Sequence, residues 1–212
     1  MNRARRPRLR RRRRQQDRMT ETKSKKGMVV IVSGPSGVGK STICREVVAR
    51  MDNVYLSVSA TTRPQATGEV DGKDYWFISE QEFQERIDKD LFLEHAEVFG
   101  HRYGTPRDKI VEALEAGKVA ILEIDVQGAR QAKAVFEDAV MIFILPPTEK
   151  DLAERLNNRG RDAGEATEER LDGASAEIAA AWQYYKQMVI NEDLQQAVDE
   201  CMQIIEHAKA HT

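Results

Sequence analysis

Ser33-Gly34-Pro35-Ser36-Gly37-Val38-Gly39-Lys40-Ser41-Thr42 follows the apolar run Met28 to Val32 and leads into a helical pattern over Ile43 to Met51. In that strand–loop–helix setting, Gly34-x-x-x-x-Gly39-Lys40-Ser41 reads as a phosphate-binding loop rather than an ordinary turn. Gly34, Gly37 and Gly39 let the backbone aim its N–H groups at phosphate oxygens. The positive end of the next helix faces the same anion. Lys40 has the reach for β- and γ-phosphates, and the Ser41 hydroxyl can reach a magnesium ion that travels with the nucleotide. Gly34, Pro35, Ser36, Gly37, Val38, Gly39, Lys40, Ser41 and Thr42 are therefore the predicted ATP-binding stretch. The loop leaves the acceptor open.

Beyond the loop, short apolar runs alternate with helical patterns. Strands are predicted at Val54–Ser59, Tyr75–Ile78, Leu91–Val98, Val119–Asp125, Val140–Leu145 and Met188–Ile190. Ser79-x-x-Glu82 reads as a capping box. Thr105-Pro106 reads as an N-cap followed by proline at the first helical position, with Gly117 as the stop. Further helices are predicted from Thr148 to about residue 157, after the polar stretch 158–165, and from about Asp193 onward. This alternation predicts an α/β fold of the P-loop NTPase type, a parallel sheet flanked by helices.

The chain has 212 residues, enough for one such domain. Its net charge of −2 hides an asymmetry. Residues 1–26 carry ten Arg and three Lys against Asp17 and Glu21, a net +11; the remainder carries 20 basic and 33 acidic groups, a net −13. A block such as Arg10 to Arg14 repels itself and buries nothing, so residues 1–26 are expected to be a disordered basic arm. Its charge suits nucleic acid or an acidic surface; a dispensable extension is the reading the composition favours. Cys44 and Cys201 lie in apolar helical patterns and are expected as buried thiols of a reducing, cytoplasmic compartment. No run is long enough to span a membrane.

Acceptor candidates cluster at Ser57 to Arg63, Gly68-Glu69 with Asp74-Tyr75, Leu93 to Thr105, and Arg155 to Arg170. Asp125, at a strand end, either faces the ligand or caps the following helix. Taken singly, Tyr75 and Tyr103 also fit core aromatics, and Arg155 and Arg159, at i and i+4, fit a solvated helix face. With their order and spacing, these stretches resemble the guanylate kinase family from about Met28 to the C-terminus.

That resemblance implies a core of residues 27–59 and 106–212, a lid at about 157–170, and an inserted GMP-binding domain at 60–105. It implies transfer of a phosphoryl group from ATP, with Mg2+, to GMP and dGMP. By resemblance, Ser59, Arg63, Tyr75 and Tyr103 match GMP-binding positions, with Arg63 and the tyrosines on its phosphate. Glu94, Thr105 and Asp125 match positions at the guanine base. Lys40, Arg155, Arg159 and Arg170 match positions at the transferring group, Asn191 a position near adenine, and Ser41 the metal. A carboxylate such as Glu94 accepts both N1–H and N2–H₂ of guanine, and a buried polar group left unpaired costs about 1–3 kcal/mol, roughly 10- to 150-fold in selectivity.

Three positions depart from the family pattern. Ala66 stands where a second phosphate-gripping arginine is usual, and Arg102, in place of a usual tyrosine, is expected to supply the missing cation. Glu123 replaces a usual aspartate and is expected to act on either the magnesium or the GMP side. The competing classes are a catalytically silent scaffold domain, a nucleic-acid-associated protein resting on the arm, and a kinase of another small phosphate.

Overall fold

Residues 27–158 and 165–211 are described by a computed structural model. The basic arm and residues 159–164 lie outside the described residues. Strand β1 (Met28–Ser33) is the middle of a five-stranded parallel sheet. It lies between β7 (Val119–Glu123) and β8 (Val140–Leu145), with β2 (Val54–Leu56) and β9 (Gln187–Ile190) at the edges.

Every residue of β1 is buried because helices cover both faces. Val30 and Val32 enter one core with Ile43 and Val47 of α1 (Lys40–Arg50), Leu152 and Leu156 of α5 (Glu149–Asn158), and Val198 and Ile205 of α7 (Leu194–Ala210). Val29 and Ile31 enter the other with Ile110 of α3 (Arg107–Glu115), Ala129 and Ala132 of α4 (Val126–Val135), and Ala181 of α6 (Glu165–Tyr184). Cys44 and Cys201 are buried free thiols in the first core; burial raises both, Cys201 to about 12.

A second, mixed sheet has the order β4 (Trp76–Phe77), β3 (Ala60–Thr61), β6 (His101–Pro106), β5 (Phe92–Val98). Its core is small: Ala60, Phe83 of α2 (Glu80–Asp88) and Phe92, the two rings 4.6 Å apart. Ser79 caps α2 as expected, accepting from the Glu82 N–H at 3.1 Å. Asp193 caps α7 in the same way, from Gln196 at 2.8 Å.

Two sequence expectations change. The strand predicted over Val54–Ser59 stops at Leu56, since after the Ser57 N–H bonds Ile121 the chain leaves the parallel sheet and joins the mixed one at Ala60. Thr105 does not cap α3. It is the fifth residue of β6, Pro106 occupies the cap with no side-chain bond, and the buried Thr105 hydroxyl is spent on Glu94.

Because Phe83 is one of the two rings that fill the small core and is fully buried, Phe83→Ala is expected to remove about 3–5 kcal/mol from that lobe. Hydrogen exchange should then quicken in β3, β5 and β6 while β1 and β8 keep their protection.

Candidate active site

The loop between β1 and α1 is shaped by glycine. Gly37 and Gly39 have φ of 83° and 104°, the left-handed region that side chains disfavour. The space is closed as well: a Cβ on Gly37 would meet Leu156 Cδ2 at 2.8 Å, and one on Gly39 would meet Asn191 Nδ2 at 2.5 Å. Behind the loop, Asn191 Nδ2 donates to Val38 O at 2.8 Å. Arg155 donates to Val38 O at 3.3 Å and to Asn191 O at 2.8 Å. Asn191, expected near adenine, and Arg155, expected at the transferring group, both brace the loop from its carbonyl side. Lys40 Nζ lies across the loop, donating to Gly34 O at 2.6 Å and Pro35 O at 3.0 Å.

Ser41 Oγ donates to Glu123 Oε1 at 2.6 Å. The Glu123 carboxylate, at the end of β7, thus sits beside the hydroxyl that the sequence pattern assigns to magnesium. The pair offers oxygen ligands, the hard donor set that suits Mg2+. Among the described residues no cluster of three or more His, Cys, Asp or Glu forms a metal cage.

Facing Glu123 is the grip of the mixed sheet. Glu69 holds Arg63 from both carboxylate oxygens, at 2.9 and 3.0 Å, and accepts from the Ala66 N–H at 2.9 Å. The guanidinium carbon lies 5.4 Å from the Tyr75 ring centroid, and Tyr75 meets Tyr103 edge-on at 5.9 Å. Burial raises the Tyr75 hydroxyl, and the negative charge of Glu123 adds to the shift. An Arg45–Asp74 ion pair links α1 to the segment before Tyr75.

Arg102 does not join this grip. Neighbouring strand residues point to opposite faces. Tyr103 takes the cleft face, so Arg102 turns onto α2, where it donates to Gln84 at 3.0 Å, lies 3.6 Å from Glu80 and covers the Phe83 ring at 4.6 Å. The cation expected to replace Ala66's missing arginine is thus not Arg102.

Deeper in the cleft, Glu94 is buried at 4% exposure, with Ser59 and Thr105 beside it. Glu94 Oε1 accepts from the Thr105 hydroxyl at 2.6 Å and the Thr105 N–H at 3.1 Å; Ser59 Oγ lies 3.4 Å from the same hydroxyl. Burial pushes Glu94 up to about 7 against the pull of Thr105, and Asp125 adds to the rise. Asp125 caps α4, accepting from the Gly128 N–H at 2.9 Å. A Cβ on Gly128 would collide with Glu94 Oε2. Asp125 thus fulfils the capping reading and still lies close enough to Glu94 to shift it.

Arg159 lies outside the described residues, and only the backbone of Arg170, in α6, is described. Sequence reasoning missed Glu177, also on α6. Its Oε2 is buried without a hydrogen-bond partner among the described residues. Burial pushes it to about 7, with Lys40 opposing and Asp125 adding. The available signal was a lone acid within the small-residue run Ala174 to Ala181. Glu69 was visible in the sequence, but its hold on Arg63 was not.

The guanylate kinase family model matches residues 26–208. The chain belongs to the guanylate kinase family. A guanylate kinase of Carboxydothermus hydrogenoformans is 48% identical over 175 residues, 82% of this chain and 85% of that one. One of Clostridioides difficile is 45% identical over 185 residues, 87% of this chain and 90% of its own. The crystal structure of guanylate kinase from Anaplasma phagocytophilum matches with a TM-score of 0.73 at 33% identity, over 86% of each chain. Among the described residues no helix is long and apolar enough to cross a membrane.

The raised Glu94 carboxyl gives a stability prediction with a definite sign. In the unfolded chain it ionises near its ordinary value of 4.5, and in the folded chain only near 7. The folded state is therefore penalised increasingly as pH rises from about 4.5 to 7, and fully above that. Glu94→Gln removes the charge and keeps an acceptor for Thr105. It should raise the melting temperature at pH 8, by a free energy on the order of 2–3 kcal/mol, and leave it nearly unchanged at pH 4.5.

Proposed function

We propose that this chain performs the reaction of its family, ATP + GMP giving ADP + GDP, through the residues gathered in the cleft, and that dGMP is accepted as well. The observation that carries this reading is the opposition of two sites. The triphosphate loop with Lys40 and the Ser41–Glu123 pair faces Arg63, Tyr75 and Tyr103, with the buried Glu94 behind them. A scaffold that only binds protein has no need of Lys40 or Ser41 in these places.

The attacking oxygen of GMP is already anionic at neutral pH, so the site needs no general base. Catalysis is positioning and charge neutralisation. Arg63, preset by Glu69, presents a planar fork to the GMP phosphate, and the two tyrosine hydroxyls add donors. Glu94, ionised, accepts from guanine N1–H and N2–H₂, with Thr105 fixing its other oxygen and Ser59 behind Thr105. Lys40 exchanges its two loop carbonyls for phosphate oxygens. Mg2+, when bound, neutralises charge on the β- and γ-phosphates; Ser41 would hold it, with Glu123 behind.

Arg155 starts from the loop and, with Arg159 and Arg170, neutralises the transferring group. Asn191 serves the donor site by keeping the loop in shape. Residues 60–105 form the GMP-binding lobe, 27–59 and 106–212 the core, and about 157–170 a lid that excludes water from the transfer. The enzyme works in the cytoplasm, in the compartment of its two nucleotides.

A coupled assay of ADP release should give turnover with GMP and dGMP and almost none with AMP or UMP. Lys40→Ala should fold normally, by circular dichroism, and lose at least about a hundredfold in kcat, as expected for removal of a preorganised charge at the transferring group; retained turnover contradicts the donor site. Deleting residues 1–26 should leave kcat and both Michaelis constants unchanged.

A further inference from the structure

The exposed edge of the mixed sheet is β5, and it is not left open. Gln131 of α4 donates through Nε2 to His95 O at 2.7 Å and accepts through Oε1 from the His95 N–H at 3.3 Å. One carboxamide thereby makes both bonds that a neighbouring strand would make. His95 can offer both groups because its backbone faces away from β6 at that point of the antiparallel ladder. One turn earlier, Gln127 Nε2 reaches Glu97 O at 3.4 Å.

The spacing matches: residues i and i+4 of a helix are about 6 Å apart along its axis, and residues i and i+2 of a strand about 6.8 Å. Gln131 and Gln127 run along α4 opposite to His95 and Glu97, as an antiparallel partner would. Both glutamines are exposed on the outer side of this contact, so neither contributes to a hydrophobic core.

Between them lies Gly128, the glycine against which Glu94 Oε2 rests. Glu94 precedes His95 and follows a register shift in β5 between Phe92 and Glu94. A strand with such an irregularity has more than one pairing available, and a slip of one residue would carry Glu94 to the opposite face. We infer that Gln131 is a specificity-determining positioning residue, whose two bonds to His95 hold the register of β5 and so aim the Glu94 carboxylate at the base of the acceptor nucleotide. This inference rests on the reading of Glu94 as the guanine acceptor.

The test compares GMP with inosine monophosphate, which lacks the 2-amino group, in the full chain. Glu94→Gln is measured first and should abolish most of the preference for GMP. An unchanged preference would overturn the Glu94 reading itself. Gln131→Leu removes both bonds at similar volume. It should raise the KM for GMP about tenfold, as for one or two lost hydrogen bonds, with a smaller rise for inosine monophosphate. The kcat and the KM for ATP should stay within about twofold, a split that general loosening of the fold would not produce.

Combining Gln131→Leu with Glu94→Gln should add little to Glu94→Gln alone, because both act through one carboxylate. If Glu94→Gln erases the preference while Gln131→Leu leaves it intact, or if the two effects are additive, the role of Gln131 is overturned. Should the leucine variant fail to fold, Gln131→Glu, which keeps the acceptor and loses the donor, is judged by the same criteria.

Discussion

A loop that grips phosphate must keep its N–H groups unspent, so it has to be held by everything else. Here it is held by its carbonyls and its glycines. Val38 O takes Asn191 and Arg155, while Gly34 O and Pro35 O take Lys40. Gly37 rests on Leu156 and Gly39 on Asn191, each too close for a Cβ. These partners come from α1, α5 and the end of β9, which are brought together only when β8 and β9 are in place beside β1. The fully buried central strand is thus a precondition of the anion site, and the parallel order is what places Glu123 of β7 next to Ser41.

The two lobes divide the work unequally. The parallel sheet has a core on each face and can hold a loop in left-handed conformations that oppose ordinary side chains. The mixed sheet has a small core of Ala60, Phe83 and Phe92, with Ile78 and Ile87 packed against it and the Arg102 guanidinium over Phe83. It compensates with polar fastenings: Glu69 on Arg63, Asp74 on Arg45, Thr105 on Glu94, and the carboxamides of Gln127 and Gln131 on the open edge of β5. A lobe held by a few polar contacts can open and close at low cost, which suits the nucleotide-admitting role proposed for it.

The parallel sheet was legible because its strands are short unbroken apolar runs, and Val140–Leu145 was read to the residue. The loop was legible because its glycines are spaced by the chemistry they serve. What could not be read were facts of direction. A one-residue difference in strand position separates Tyr103, which faces the cleft, from Arg102, which covers Phe83; the charge of Arg102 suggested a phosphate partner and the alternation of the strand denied it one. Thr105 beside Pro106 carries a strong capping signal, yet tertiary packing put its hydroxyl on a carboxylate eleven residues away. Glu177 was missed for the converse reason: a single acid in a run of small residues looks like a solvated helix position until the neighbouring elements bury it.

Base selection follows from the same economy of polar contacts. An exposed carboxylate would pair with guanine in water at little net gain, since both partners are already well solvated. Burying Glu94 changes that balance: its carboxyl is pushed up to about 7, and in the reading proposed above a ligand with two adjacent donors relieves it. The enzyme carries this burden between turnovers, and the surrounding residues limit it. Thr105 supplies two donors to one oxygen, Gly128 leaves room for the other, and Asp125, by capping α4, keeps that glycine in position while adding to the repulsion. In the proposed reading of Glu94 as the guanine acceptor, residues that hold β5 against α4 contribute to specificity without touching the substrate.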